Sequence, residues 1–169
     1  MTPNLPEPLP EEWIVARAPG GRYGVVSQPG SSELFAYDFE LEELGSPLDP
    51  VALAGIPPED LWEAVFPSSD GAHVAVVRHP LPAQDQPPSP DEVVLFFMKS
   101  GVVTRRWRLR ELTPEPPALV RLKDGGWRWL ALAVHHHEDP RKLVMETWSC
   151  WWLTFDIASG DLLDDYKED

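Results

Sequence analysis

The sequence predicts an all-β protein of three four-stranded antiparallel repeats, and three observations predict it. Short alternating apolar runs recur from Trp13 to Tyr166, divided by turns that contain Gly or Pro. A proline–acid connector opens each repeat: Pro10-Glu11-Glu12, Pro58-Glu59-Asp60 and Pro114-Glu115-Pro116. Phe39, Phe97 and Phe155 are equally spaced, each expected to end a third strand. The repeats fall at about 11–56, 57–112 and 113–166, within a single domain. A β-sandwich or barrel is the alternative arrangement that such strands admit.

Composition bounds the rest. An apolar share of 43% in 169 residues is that of a folded chain with a real core. Twenty prolines interrupt strands and helices alike, because proline has no N–H to donate. The formal charge of −14 repels phosphate backbones and anionic membranes, so no nucleic acid and no membrane partner is expected. It favours a basic protein partner. Cys150 is the only cysteine, so no internal disulfide can form, which fits a reducing, cytoplasmic setting. Its apolar surroundings predict a buried, inert thiol. The N-terminus lacks a basic start and an apolar core, and no run approaches the ~20 apolar residues of a membrane span.

Residues 1–10 read as an extended, proline-rich lead-in. In the first repeat, Trp13–Arg17 and Tyr23–Gln28 are strands around the Gly20-Gly21 turn, and Leu34–Leu44 is a third. Phe35, Tyr37, Phe39 and Leu41 share one face of that third strand, opposite Asp38, Glu40 and Glu42. In the second repeat a strand runs to Phe66, Ser69-Asp70-Gly71 turns, and His73–Arg78 follows. A loop with Pro80, Pro82, Pro87, Pro88 and Pro90 leads to Glu92–Met98, then Ser100-Gly101 turns into Val102–Leu112. In the third repeat, Thr113–Pro117 connects to Ala118–Lys123, and Asp124-Gly125-Gly126 turns into Trp127–His137. The Lys142–Ile157 stretch comes next, then Ser159-Gly160 and Asp161–Tyr166, before an acidic tail at 167–169.

Lys142–Ile157 is the longest strand-forming stretch and carries three tryptophans. Its two faces are both largely apolar, which predicts a central strand, or two broken by a bulge, covered on both sides.

Four short strands per repeat are the pattern of propeller blades. Two segments carry a family resemblance. Ser68–Val77 (SSDGAHVAVV) and Trp152–Leu163 (WLTFDIASGDLL) resemble the S-x-D-G and D-x-x-S/T-G segments of WD40-like β-propeller repeats. The resemblance covers most of 11–166 and implies a half or partial propeller, although the Gly-His and Trp-Asp dipeptides of WD40 repeats are missing in register.

The candidate chemistry is sparse. His135 and His137 share a strand face beside Glu138 and Asp139, and could hold a metal with His73 or His79 completing the shell. Arg105, Arg106, Arg108 and Arg110 concentrate positive charge in an acidic chain. Arg106, Arg108 and Arg110 are expected on one face, either to bind a carboxylate or phosphate group or to neutralise an acidic strand such as Asp38–Glu42. Trp127 and Trp129, beside Ala131 and Ala133, are either core or a partner platform. No nucleophile elbow, P-loop or dinucleotide fingerprint is present.

The reading that follows is a non-enzymatic protein-binding module without cofactor, of the kind an acidic inhibitor or immunity-type protein would be. Trp127, Trp129, Arg106, Arg108, Arg110, Asp38, Glu40 and Glu42 are its candidate contacts for a basic protein partner. A metal protein or metal-dependent enzyme on His135 and His137, and a homodimer whose repeats close only by self-assembly, are the alternatives.

Overall fold

The protein is all-β, with three four-stranded antiparallel sheets and one two-stranded ribbon. A computed structural model describes residues 5–114 and 118–168. The first sheet is the meander β1 (Ile14–Arg17), β2 (Tyr23–Val26), β3 (Phe35–Asp38) and β4 (Glu43–Pro47). The second is β5 (Val65–Pro67), β6 (His73–Val77), β7 (Val93–Lys99) and β8 (Val102–Arg108). A ribbon of β9 (Val120–Arg121) and β10 (Trp127–Arg128) precedes the third sheet. That sheet is β11 (Leu130–His135), β12 (Lys142–Thr147), β13 (Trp151–Asp156) and β14 (Leu162–Lys167). Single helical turns α1 (Leu61–Ala64) and α2 (Leu109–Leu112) flank the second sheet.

The second sheet is the middle layer, and its sequence shows why. Along β6, Val74 and Val76 enter a core shared with Val25 and Leu34 of the first repeat. Their neighbours Ala75 and Val77 enter a second core with Leu143, Met145, Leu153 and Phe155 of the third sheet. On β7, Phe96 and Met98 face the first core while Leu95 and Phe97 face the second. Period-two alternation with apolar residues at every position requires cover on both sides.

Lys142–Ile157 is therefore not the doubly covered centre. It folds into a hairpin, β12 and β13, which reverses at Trp148-Ser149-Cys150 rather than at a bulge. Cys150 takes φ 65° there and is exposed, so the expectation of a buried thiol is overturned. Met145 opposes Leu153 and Leu143 opposes Phe155, so all four stay on one buried face through the reversal. The other face is only half-buried.

Three further boundaries differ from expectation. The first repeat's third strand stops at Asp38, whose carboxylate accepts from the Glu40 and Leu41 amides and closes a turn into β4. Phe39 thus lies in a turn, whereas Phe97 and Phe155 lie in third strands. Val102–Leu112 ends as a strand at Arg108, after which α2 begins, with the Glu111 carboxylate accepting from the Arg108 amide. In the third repeat Asp124-Gly125-Gly126 turns the separate ribbon, so Leu130–His135 is the first strand of its sheet, not the second. The connector residues 115–117 lie outside the described residues, as do 1–4 and 169.

Successive sheets meet through Gly turns, of which those at Gly101 and Gly160 occupy the same place, between the third and fourth strands of their sheets. Gly71, between β5 and β6, lies against the Tyr23 ring, and Ser69 Oγ donates to Pro19 O at 2.8 Å. Gly101, between β7 and β8, abuts Pro47, and its carbonyl accepts from Asp49 N at 2.9 Å. Gly160, between β13 and β14, abuts Phe97, and its carbonyl accepts from Trp107 Nε1 at 2.9 Å. At Gly101, φ is +81° and an added Cβ would collide with the Pro47 carbonyl. Gly101→Ala is expected to destabilise the fold by ~3 kcal/mol, strain and clash together. Gly30→Ala also has positive φ but opens on free space, so ~1 kcal/mol is expected there. Urea midpoints at unchanged m would measure the difference.

The two outer faces of the stack are treated differently. Val26, Phe35 and Tyr37 of the first sheet are covered by Leu5 and Leu9, from the stretch read as a lead-in. On the third sheet, Leu132, Val134 and Tyr166 remain 41%, 41% and 52% exposed.

Candidate functional site

Two adjoining features single out the third sheet. The first is its outer face. Leu132 opposes Glu146, Glu146 opposes Trp152, and Trp152 opposes Tyr166, so these four side chains cross the sheet in one row. Val134 and Val144 form the next row with Thr154 and Asp164. The Trp152 and Tyr166 rings stack at 6.4 Å, and Trp152 Nε1 donates to Glu168 at 2.8 Å. Trp148, at the hairpin tip, is 44% exposed. The face thus presents aromatic and aliphatic surface interspersed with Glu146, Asp164 and Glu168.

The second feature is a cavity of about 480 Å³ along the free edge of β11. β12 pairs with one edge of β11, and the other edge borders Trp62 and Glu63 of α1, Phe66 of β5, and the Val77 and His79 end of β6. Arg128, Leu130, Leu132 and Val134 line the opposite wall. Trp62 is 64% exposed at its mouth. Because Leu132 and Val134 belong to both features, cavity and open face form one continuous surface.

Burial sets the charge states within the cavity. His79 Nδ1 is buried without a hydrogen-bond partner, and desolvation, with the neighbouring Arg128 cation, pushes its pKa down to about 4. Burial also lowers His135, opposed by its hydrogen bond to a carbonyl. Arg128 Nε is likewise buried and unpartnered.

The residues expected to form a site are scattered. Trp127 and Trp129 are 8% and 0% exposed, so neither can be a partner platform. Trp127 Nε1 donates to Gln84 O at 3.1 Å under the proline-rich loop, whose Leu81 bridges to the Trp127 backbone. Trp129 Nε1 donates to Arg78 O at 2.9 Å between the second and third sheets. Ala133 packs against the same core, but Ala131 is exposed and does not continue this buried face.

The arginines do not form one stripe. Arg106 and Arg108 are exposed on β8 opposite Phe96 and Val93, and neither makes an ion pair among the described residues. Arg110 sits on α2 and pairs with Asp91 at 2.9 Å. Arg105 pairs with Asp161 and lies over the Trp107 ring. Asp38 and Glu40 pair with Arg22, not with the β8 arginines, while Glu42 is exposed in the turn at φ 55°. Burial raises the Asp38 pKa, but hydrogen bonds from Arg22, Leu41 and Glu40 outweigh it and leave the carboxyl below its usual range.

The histidines diverge. His135 Nε2 donates to Pro67 O at 2.9 Å and packs edge-on to Phe66. His136 Nδ1 accepts from the Glu138 and Asp139 amides, and its ring stacks on exposed His137. Asp139 pairs with Arg141, which holds its pKa near about 2. His73 bonds Asp70 at 2.6 Å. Among the described residues no three His, Cys, Asp or Glu groups converge to hold a metal.

Sequence reasoning missed Trp62, Arg128 and the exposed row from Leu132 to Tyr166. The signal for part of the row was the period-two recurrence of Leu130, Leu132 and Val134 in LALAVH, whereas LLDDYK does not alternate and gave none for Tyr166. Among the described residues no helix is long and apolar enough to cross a membrane. No protein-family model matches the chain, and no curated protein matches it in sequence.

Proposed function

We propose that the protein is a non-enzymatic binding module that docks a basic protein partner on the outer face of its third sheet. The observation that carries this is the asymmetry of the stack: the chain covers the first sheet's outer face with Leu5 and Leu9, and leaves Leu132, Val134 and Tyr166 of the third exposed around a half-buried Trp152. Exposed aromatics beside desolvatable carboxylates suit Lys- and Arg-bearing surfaces, which stack on the rings and pair with Glu146, Asp164 and Glu168. The −14 charge speeds such an encounter. An inhibitor or immunity-type role in the cytoplasm fits this chemistry.

The test is capture from source lysate with tagged protein, comparing wild type with Tyr166→Arg at low and high salt. One stoichiometric partner rich in Lys and Arg, released by salt and weakened ~10-fold or more by the substitution, is expected. Tyr166 is exposed, so stability should change by less than ~0.5 kcal/mol. A partner held equally by Tyr166→Arg, or one of neutral composition, overturns the reading.

The turn-to-sheet contact repeated at Gly101 and Gly160 favours a second reading, in which the sheets are propeller blades of the WD40-like kind. Three blades leave a ring open at the third sheet, and a second copy would occupy the same face. A monomer mass by light scattering at all concentrations would remove this self-assembly.

A further inference from the structure

We infer that the cavity along the free edge of β11 is a binding site for a monocarboxylate carried on a short apolar body, with Arg128 and His79 holding the carboxylate. The site adjoins the protein-docking face, with which it shares Leu132 and Val134, but its ligand chemistry does not depend on that reading.

The inference starts from how this acidic chain uses its arginines. Arg22, Arg78, Arg105, Arg110 and Arg141 each pair with a carboxylate. Among the described residues Arg17, Arg106, Arg108, Arg121 and Arg128 show no ion pair, and of these only Arg128 is half-buried, in a chain with twice as many acids as bases. The Arg128 Nε is buried without a hydrogen-bond partner among the described residues, as is Nδ1 of His79, and both residues line the cavity. A buried polar group without a partner is unfavourable, more so when charged, so a side-chain rotation that brings either nitrogen to an acceptor in the cavity is favoured. A carboxylate supplies acceptors to both: guanidinium on one oxygen, imidazole N–H on the other.

The remaining wall sets the rest of the ligand. Trp62, Phe66, Val77, Leu130, Leu132 and Val134 are apolar, and the volume of about 480 Å³ lies in the ~300–1,000 Å³ range of small-ligand sites. Glu63 is the one acid on the lining. With His79 neutral, the site carries one cation against one nearby carboxylate, which disfavours phosphates and dicarboxylates relative to a single carboxylate. Such a ligand has two sources, a free fatty acid of medium length or the C-terminal residue of a peptide.

The experiment is amide and indole NMR titration of the full chain with octanoate, 1-octanol, acetyl-Ala-Leu and its C-terminal amide. Octanoate or acetyl-Ala-Leu should shift the amides of Leu130–His135 and the Trp62 indole, and whichever binds more tightly identifies the source. The uncharged counterpart should bind ~10-fold or more weakly, and Arg128→Gln should abolish that preference. Glu63→Gln, at an exposed position, should tighten carboxylate binding several-fold and keeps the test valid if Arg128→Gln unfolds. Equal binding of acid and alcohol, no shifts on β11 with either acid, or no effect of Glu63→Gln overturns the assignment.

Discussion

Trp129→Ala is expected to destabilise the protein by about 3–5 kcal/mol, the largest effect of any single truncation proposed for this chain. Trp129 is fully buried, the largest such side chain, and it lies where the ribbon, the second sheet and the third sheet meet. Truncation removes an indole from contact with residues that other backbone constraints hold in place, so the void cannot collapse. It also removes the donor to Arg78 O, at the end of β6. For a domain of this length such a loss lowers Tm by about 10 °C. Trp129→Phe keeps most of the ring and should lose only ~1–2 kcal/mol. Trp62→Ala, at an exposed tryptophan, should leave Tm within about 2 °C of wild type. Thermal unfolding of the three variants decides it: a Trp129→Ala loss below ~1 kcal/mol would return Trp129 to the surface.

The same residue shows how far the sequence could be read. The all-β class and most of the Gly turns were legible because alternation and turn chemistry act locally. The layer order was not. Val74-Ala75-Val76-Val77 and Val94–Met98 are apolar at consecutive positions, as a doubly covered sheet needs, yet Lys142–Ile157 is longer and more aromatic. It concealed a reversal because Trp148-Ser149-Cys150 contains neither Gly nor Pro, and Cys150 itself adopts the left-handed conformation. The turn after Asp38 was hidden in the same way, with Glu42 at positive φ and the Asp38 side chain in the role a glycine would otherwise fill. The candidate site was less legible still. Whether a tryptophan is core or surface depends on what packs over it, and Trp127 is covered by a loop more than forty residues earlier in the chain. His135 and His137 share a strand parity, but β11 ends at His135, so His137 follows the turn instead of the strand.

Acid should weaken the fold in a window set by the cavity histidine. His79 is buried near Arg128, and its folded pKa lies at about 4 against an ordinary 6.5. The folded state therefore binds this proton more weakly than the unfolded chain. The stability that neutral His79 secures is fully present above pH 6.5, declines as the unfolded chain takes up the proton below it, and is gone once folded His79 protonates near pH 4. The decline amounts to roughly 3 kcal/mol, and His135, lowered by the same desolvation, adds to it with the same sign. Carboxylates do not account for this window. Asp70 and Asp139 have folded pKa values below their ordinary 3.8, so they add stability above that value and lose it only at lower pH. Partial neutralisation of the −14 charge acts in the opposite direction, because it relieves self-repulsion as pH falls. The histidine contribution is isolated by comparing slopes rather than stabilities. Urea unfolding of wild type and His79→Gln between pH 7 and 4 should show a steeper acid loss in wild type, even if the variant is less stable throughout. Arg128→Gln should make the loss smaller and complete it at higher pH, since removing the cation leaves desolvation alone to oppose protonation and raises the folded pKa. Parallel slopes in wild type and His79→Gln would mean that His79 reaches water in the folded state, and that the β11 cavity is wetter and less able to hold a charged ligand than its lining implies.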